Sequence, residues 1–422
     1  MHSLVNAIKL LDEWLETMKQ IRGYAGPVAH WWQSCYQFVG PGLDWRYEGI
    51  LAGYSTLWAK THEDRWIKRV MGAADHMAHG QLAEGSFRNS GFEANPGTLG
   101  TPHEAAASLG LLVAMQKTGL VLDDRVAIRN LEYLISQLWD GQSKGFNDKP
   151  QISGRVPNKL ATLAEALIHG AELTRYLRWL SLADRALGDI VRLQVETGVY
   201  RGAVHQWGSG PELRGDGRFF PYYNARCIPG LVLGAEVLEN PGYRERAELI
   251  GDFLDRTRNA DGSWPQILYD NGKRVEYPHW IAPTADILRA YILLGRPLPL
   301  GALDQLLSGQ LPGGGFVTAR GFARRFRSSV PLEPPDYRDI TPVVGWNDKV
   351  LRLLSVLIPD GTKIPRTNLA TVYRLRVMVG GRQGTFRETD DSMSIILDDG
   401  ATLFDWNKQE PWSRAEGEVM VR

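Results

Sequence analysis

Residues 258–264, Arg258-Asn259-Ala260-Asp261-Gly262-Ser263-Trp264, close one helical run and open a long irregular stretch. Asp-Gly makes a tight turn, and the tryptophan behind it is either packing or part of a site. Which of the two holds depends on whether the punctuation recurs. It does: Gly85-Ser86-Phe87, Gly145-Phe146, Gly198-Val199-Tyr200 and Gly314-Gly315-Phe316 repeat the pattern, with the aromatic positions 52 to 64 residues apart. A degenerate first copy falls between Gly23 and Trp32. Such regular recurrence marks a repeat architecture, and in it Trp264 is expected to wedge between neighbouring hairpins.

Each turn is preceded by one helical run and followed, after a long loop, by another. The preceding runs, such as 63–80 and 243–257, are charged and amphipathic; the following ones, such as 101–119 and 281–295, are apolar nearly all round and rich in small residues. Amphipathic helices face solvent and all-apolar helices are buried. Six outer runs start near residues 3, 63, 123, 177, 241 and 300, and six inner runs near 44, 101, 157, 221, 281 and 341. Twelve helices alternating in this way predict an all-α fold, an (α/α)6 toroid of six hairpins over residues 1–358. Residues 359–422 read instead as a small β-rich C-terminal extension of alternating runs joined by Gly turns. The outer-to-inner loops are long and the return links short, which puts every long loop on one rim, where sites are built. The inner helices present their positive N-terminal ends to that rim, favouring an anionic ligand.

Composition narrows the function classes. The 422 residues carry 48 Lys+Arg against 48 Asp+Glu, which argues against generic binding to nucleic acid. Two cysteines give neither a disulfide framework nor a CxxC metal pair, no HExxH is present, and neither a metal nor a cofactor is expected. No apolar stretch is long enough to span a membrane, and the N-terminus lacks a signal-peptide pattern, so a cytoplasmic location is expected. A homo-oligomer is compatible with the sequence.

Candidate site residues collect in the loops and at the starts of the inner runs. The densest stretch runs from Arg214 to Cys227. It offers Arg214 and Arg218, then Tyr222, Tyr223, Asn224 and Arg226 on an inner helix. Arg matches a carboxylate bidentately, and Asn, Tyr and His suit proton removal next to one. His205 with Trp207, and Tyr277 with His279 and Trp280, set histidines beside aromatics in adjacent loops, a layout for stacking a sugar ring. Trp45, Arg46, His103, Glu104 and Asp286 mark other inner-helix starts. Of these, His279, Tyr222, Tyr223, Asn224, His205, Glu104 and Asp286 are the candidates for catalysis. Arg46, Trp45, Arg214, Arg218, Arg226, Trp207, Tyr277, Trp280 and His103 are the candidates for substrate binding.

The chain resembles the α/α-toroid enzymes over residues 1–358. The segment 258–264 is similar to the QxxDGSW repeat of squalene cyclase-like terpenoid cyclases and prenyltransferases, except that Arg258 stands where that repeat has Gln. No DxDD acid motif and no Asp/Cys/His zinc set accompanies it. The Asn, His, Tyr and Arg of the rim resemble, in kind, the toroid glycan enzymes: lyases, epimerases, and glucuronyl or unsaturated-uronyl hydrolases. A cyclase funnel should be apolar with one strong acid, whereas this rim is polar and Arg-rich. The resemblance therefore implies an enzyme acting on an acidic, uronate-type saccharide by lyase, epimerase or glycosidase chemistry. A prenyl-substrate cyclase and a non-catalytic binding protein on the same scaffold are the alternatives.

Overall fold

In the computed structural model, residues 2–29, 36–39, 42–88, 101–120, 122–150, 152–325, 330–366 and 372–410 are described. The helices stand where the sequence predicts the two kinds of helical run. They are α1 (His2–Thr17), α2 (Arg46–Thr61), α3 (Asp64–Gly80), α4 (Ala105–Thr118), α5 (Asp124–Leu138), α6 (Pro157–Thr174) and α7 (Arg178–Arg192). Then follow α8 (Pro221–Val237), α9 (Pro241–Thr257), α10 (Thr284–Leu294), α11 (Ala302–Ser308), the single turn α12 (Tyr337–Ile340) and α13 (Val344–Leu357). Local chemistry sets their ends. Prolines open α6, α8 and α9, where a missing N–H costs nothing. Gly119 and Gly295 close α4 and α10 in the left-handed conformation.

The two classes of helix bury different surfaces. In α7 only the face with Trp179, Ala183, Ala186, Leu187 and Ile190 is in the core, spaced as one helical stripe. In α4 every residue from Ala105 to Ala114 is buried. The inner helices α2, α4, α6, α8, α10 and α13 pack each on the next, and α13 packs on α2, so their contacts run in a cycle. Glycines permit the close approach: a Cβ on Gly49 would lie 2.3 Å from the Asp348 carbonyl oxygen, and one on Gly110 would lie 2.5 Å from that of Tyr47.

Five of the recurring turns share one hydrogen-bond pattern. The residue after the turn donates its N–H back to the end of the outer helix: Ala25 to Met18, Arg88 to Gly80, Asn147 to Leu138, His205 to Leu193 and Val317 to Gly309, at 2.8 to 3.1 Å. The buried turn positions are thus Tyr24, Phe87, Phe146, Val204 and Phe316, and Trp264 is buried at the fifth turn, where Pro265 has no N–H to donate. This corrects the fourth copy, which is Gly202-Ala203-Val204 and not Gly198-Val199-Tyr200. Gly198 faces open space, whereas a Cβ on Gly202 would lie 2.0 Å from the Leu249 carbonyl oxygen of the next outer helix. The first copy is Gly23-Tyr24; residues 30–35, at the end of the stretch assigned to it, lie outside the described residues.

A glutamine at the end of the outer helix ties three of these turns to the neighbouring hairpin. Gln81 donates to the carbonyls of Gly85 and Val126, Gln194 to those of Gly202 and Arg246, and Gln310 to those of Gly314 and Ala7. The last of these crosses from the sixth hairpin to α1. Arg258 holds this position in the fifth copy, and Trp264 there is packing: its indole N–H donates to the Leu254 carbonyl and its ring lies 6.3 Å from that of Tyr291.

Beyond α13 the chain forms an antiparallel meander of strands Tyr373–Val379, Arg382–Glu388, Ser392–Leu397 and Thr402–Asn407. It docks on α1 through the buried Glu388, which accepts from the Trp14 indole N–H at 2.9 Å, from Lys408 Nζ at 2.9 Å and from the Tyr373 hydroxyl. Among the described residues no helix is long and apolar enough to cross a membrane.

Candidate active site

The first three turns of the inner helices converge on a layer of buried charge. Glu48 of α2 is fully enclosed and holds three cations. Arg226 of α8 grips it bidentately at 2.9 Å for each bond, Lys349 of α13 sits 3.2 Å away, and Arg352 of α13 completes the set. Burial works to raise its pKa, but Arg226, Lys349 and Arg352 outweigh burial and hold the carboxyl well below the usual range. Around it lie Asp286 of α10, Asp348 of α13 and Glu165 of α6. Asp286 Oδ2 accepts from the Tyr222 hydroxyl at 3.0 Å and lies 3.4 Å from Arg226. Burial pushes Asp348 up to about 8, against the nearby Lys349 ammonium.

A fourth cation in this layer, Arg289 of α10, has only a long ion pair and no hydrogen bond among the described residues. It is 7 % exposed, and its nearest acid is Asp286, with Nε 3.9 Å from Oδ1. Neither of these two atoms has a hydrogen-bond partner among the described residues. Burial, reinforced by the Arg352 guanidinium, depresses Arg289 to about 10. Buried polar groups in folded proteins are nearly always paired, so this exception is informative.

An aromatic cup joins the charged layer. The rings of Trp45 and Trp346 lie 4.4 Å apart, Tyr222 is 5.6 Å and Trp280 6.1 Å from Trp346, and His103 is 6.0 Å from Trp45. Burial, then the Arg226 and Lys159 charges, hold His103 down at about 3, so its imidazole is neutral at physiological pH. Tyr223 lies 5.5 Å from Tyr222, and burial raises its hydroxyl pKa.

The structure therefore gathers Trp45, His103, Tyr222, Tyr223, Arg226, Trp280 and Asp286 from the sequence-derived candidates. Three others do something different: they clamp the buried backbone of the recurring turns. Asn224 accepts from Val204 N–H and donates to the carbonyls of Val204 and Phe220; Glu104 accepts from Phe87 N–H; Arg46 donates to the Tyr24 carbonyl while Asp44 holds its other nitrogens. Asn347 does the same at Phe316. An amide offers a donor and an acceptor together, which is what an exposed peptide edge inside a core needs.

The loop candidates spread out. His205 Nδ1 accepts from Gly217 N–H at 3.0 Å within its own loop, Trp207 packs on Gly154, Arg218 pairs with Asp216 at 2.7 Å, and Arg214 is exposed. His279 and Trp280 are consecutive in a short strand and so face opposite ways. Trp280 joins the cup. His279 stacks on Tyr277 at 4.2 Å and lines a separate cavity of about 250 Å³ with Asp261, Gln305, Arg320 and Asp339. Sequence reasoning missed Arg289, Lys349, Arg352, Glu165 and Trp346. The available signal was periodicity, since Arg289 and Arg352 follow Asp286 and Asp348 by three and four residues on the same helical faces. Among the described residues no cluster of His, Cys, Asp or Glu could hold a metal ion.

No family model matches the chain, and no curated protein matches it. Solved structures do. An unsaturated glucuronyl hydrolase specific for heparin aligns with a TM-score of 0.58 over 84% of this chain and 96% of its own, at 11% identity. A D-mannose isomerase aligns at 0.60 over 84% and 97%, with 13% identity. The cellobiose 2-epimerase from Spirochaeta thermophila aligns at 0.57 over 82% and 92%, with 15% identity. These neighbours belong to the α/α-toroid superfamily, and the likeness extends over nearly their full length. What is shared at this identity is the fold.

Proposed function

We propose that this chain is a six-hairpin toroid enzyme acting on an acidic saccharide, with residues 1–358 as the toroid and 359–422 as an appended sheet. The observation that carries the reading is the joining of the aromatic cup to the carboxylate Asp286 within the cycle of inner helices. Aromatic faces stack on the apolar faces of sugar rings, and a positioned carboxylate moves protons. Asp286 is suited to proton transfer because Tyr222 and Arg226 fix one oxygen, while the other has no hydrogen-bond partner among the described residues. His103, neutral and beside Trp45, is the second proton-transfer group. Glu48, enclosed by three cations, holds the helices together and takes no part in the chemistry.

The charge layer disfavours the hydrocarbon alternative. A cyclase funnel must be apolar enough to shelter a carbocation, whereas this one carries Arg226, Arg289, Lys349 and Arg352 beside four acids, one of which, Asp348, has its pKa raised to about 8. The four cations match the four acids in number, and burial weakens the negative side at Asp348, which favours an anionic group in the ligand. The neighbours' names include a glucuronyl hydrolase, an epimerase and an isomerase, all acting on sugars, which supports the substrate class.

The test is a panel of uronate-bearing and neutral oligosaccharides followed by ultraviolet absorbance and proton NMR. Gain of absorbance marks a lyase, loss of it an unsaturated-uronyl hydrolase, and a new anomeric pattern an epimerase or isomerase. Turnover confined to neutral sugars, or absent throughout the panel, refutes the proposal.

A further inference from the structure

We propose that Arg289 is the residue that reads the anionic group of the substrate, a carboxylate or a chemically similar oxyanion, deep in the ring of inner helices. The inference rests on the saccharide reading above and names the specificity-determining residue within it. Its basis is the contrast among the buried arginines. Arg226 and Arg352 both engage Glu48, and Arg155 engages Asp189 and Asn147. Arg46 is satisfied by Asp44 and the Tyr24 carbonyl. Arg289 is buried to the same degree and makes no hydrogen bond among the described residues, although a guanidinium presents five N–H donors.

A charge held this way is costly unless something binds it. The missing partner is defined by what surrounds the group. Arg352 opposes the Arg289 charge while Glu165, Asp286 and Glu48 favour it without a hydrogen bond, so what is missing is a negative charge bound directly to the guanidinium. An oxyanion supplies that charge and matches the planar donor fork bidentately. The gap on its Asp286 side matches one bridging hydroxyl. Nε and Asp286 Oδ1 are 3.9 Å apart and both unpartnered among the described residues. A hydroxyl between them would accept from Nε and donate to Oδ1, setting the sugar against the same carboxylate that serves as proton-transfer group. Anion selection and chemistry are thereby coupled through one helical turn, since Asp286 and Arg289 are three residues apart on α10.

The rim arginines do not offer this. Arg218 is paired to Asp216 and Arg214 is exposed, so an anion there would gain little against water.

The experiment compares wild type, Arg289→Met and Arg289→Lys by tryptophan fluorescence titration with glucuronate and with glucose, and by thermal unfolding with and without sodium sulfate at constant ionic strength. The expected result is a preference for glucuronate of at least tenfold in wild type, falling to within threefold in Arg289→Met and in between for Arg289→Lys. Without ligand, Arg289→Met should melt at or above the wild-type temperature, because it removes a buried charge that no hydrogen bond compensates. Sulfate should stabilise wild type clearly more than Arg289→Met, which keeps only the general effect of an ion excluded from protein surfaces. If wild type prefers glucuronate and Arg289→Met keeps that preference, the assignment to Arg289 is overturned while the saccharide reading stands. If neither sugar binds but the sulfate effect depends on Arg289, the anion site stands and the saccharide reading falls. If Arg289→Met melts well below wild type and sulfate stabilises both alike, Arg289 is a structural strut and the inference is wrong.

Discussion

Glu48→Gln is the perturbation whose size the structure fixes best. The substitution keeps shape and removes the one charge that Arg226, Lys349 and Arg352 share. Breaking a buried ion pair from one side costs about 3–5 kcal/mol, mostly because the partner is left buried and uncompensated. Asp286, Asp348 and Glu165 remain nearby, so the lower half of that range, about 3–4 kcal/mol, is expected. With an unfolding entropy of roughly 2.1 cal/mol/K per residue, a chain of 422 residues loses about 0.9 kcal/mol per degree, so the melting temperature should fall by about 4 °C at pH 7. The folded-state pKa of Glu48 is depressed. Its stabilisation is therefore complete above the unfolded value, near about 4.3, and is lost as pH falls through the folded value. Circular dichroism melts of wild type and variant should accordingly differ fully at pH 5 to 8 and converge only in stronger acid. Replacing Glu48 and Arg226 together by methionine should cost less than the sum of the single changes, since neither then strands the other, although Lys349 and Arg352 still lose Glu48. Identical melts at pH 7, or a gap that persists unchanged into strong acid, would refute the electrostatic account.

Gly314→Ala should lower the melting temperature by about 1–3 °C or more; the residue sits at φ +97°, which alone costs a side chain about 1–3 kcal/mol, and its Cβ would lie 2.0 Å from the Leu10 carbonyl oxygen. Gly198→Ala, at φ +82° with open space around it, should cost less in the same assay. Asn224→Ala strands two buried backbone groups of Val204 and should destabilise by about 1–3 kcal/mol in denaturant titration, with no new break in the pH–rate profile. Because His103 is held down at about 3, that profile should show no histidine break between pH 5 and 8; a break near 6.5 that vanishes in His103→Gln would contradict its placement beside Arg226.

Helix positions were legible because burial imposes its period directly on sequence. The outer runs read from 63, 123 and 177 appear as helices starting at 64, 124 and 178. The turns were legible wherever Gly and an aromatic coincide, and misread where they coincide by chance, as at Gly198 and Tyr200. There the true position carries Val204, and only the hydrogen-bond register identifies it. The site was harder. Arg46, Glu104 and Asn224 look like functional residues because clamping buried backbone calls for the same side chains as binding a ligand. The Glu48–Arg226 pair spans 178 residues of sequence, so no local pattern announces it. His279 and Trp280 were read as one unit, and the alternation of a two-residue strand sends them to different cavities. Arg289 escaped notice because an arginine in the interior of an apolar helix ordinarily reads as a surface position.

The structure of Asp286→Asn crystallised with a uronate-bearing disaccharide tests the central claim most directly. The account predicts the uronate ring against Trp45, Trp280 and Trp346, with its carboxylate on Arg289 and a hydroxyl or the glycosidic oxygen beside residue 286. Sugar bound instead in the cavity beside His279, or along the loop that carries Arg214 and Arg218, would contradict it.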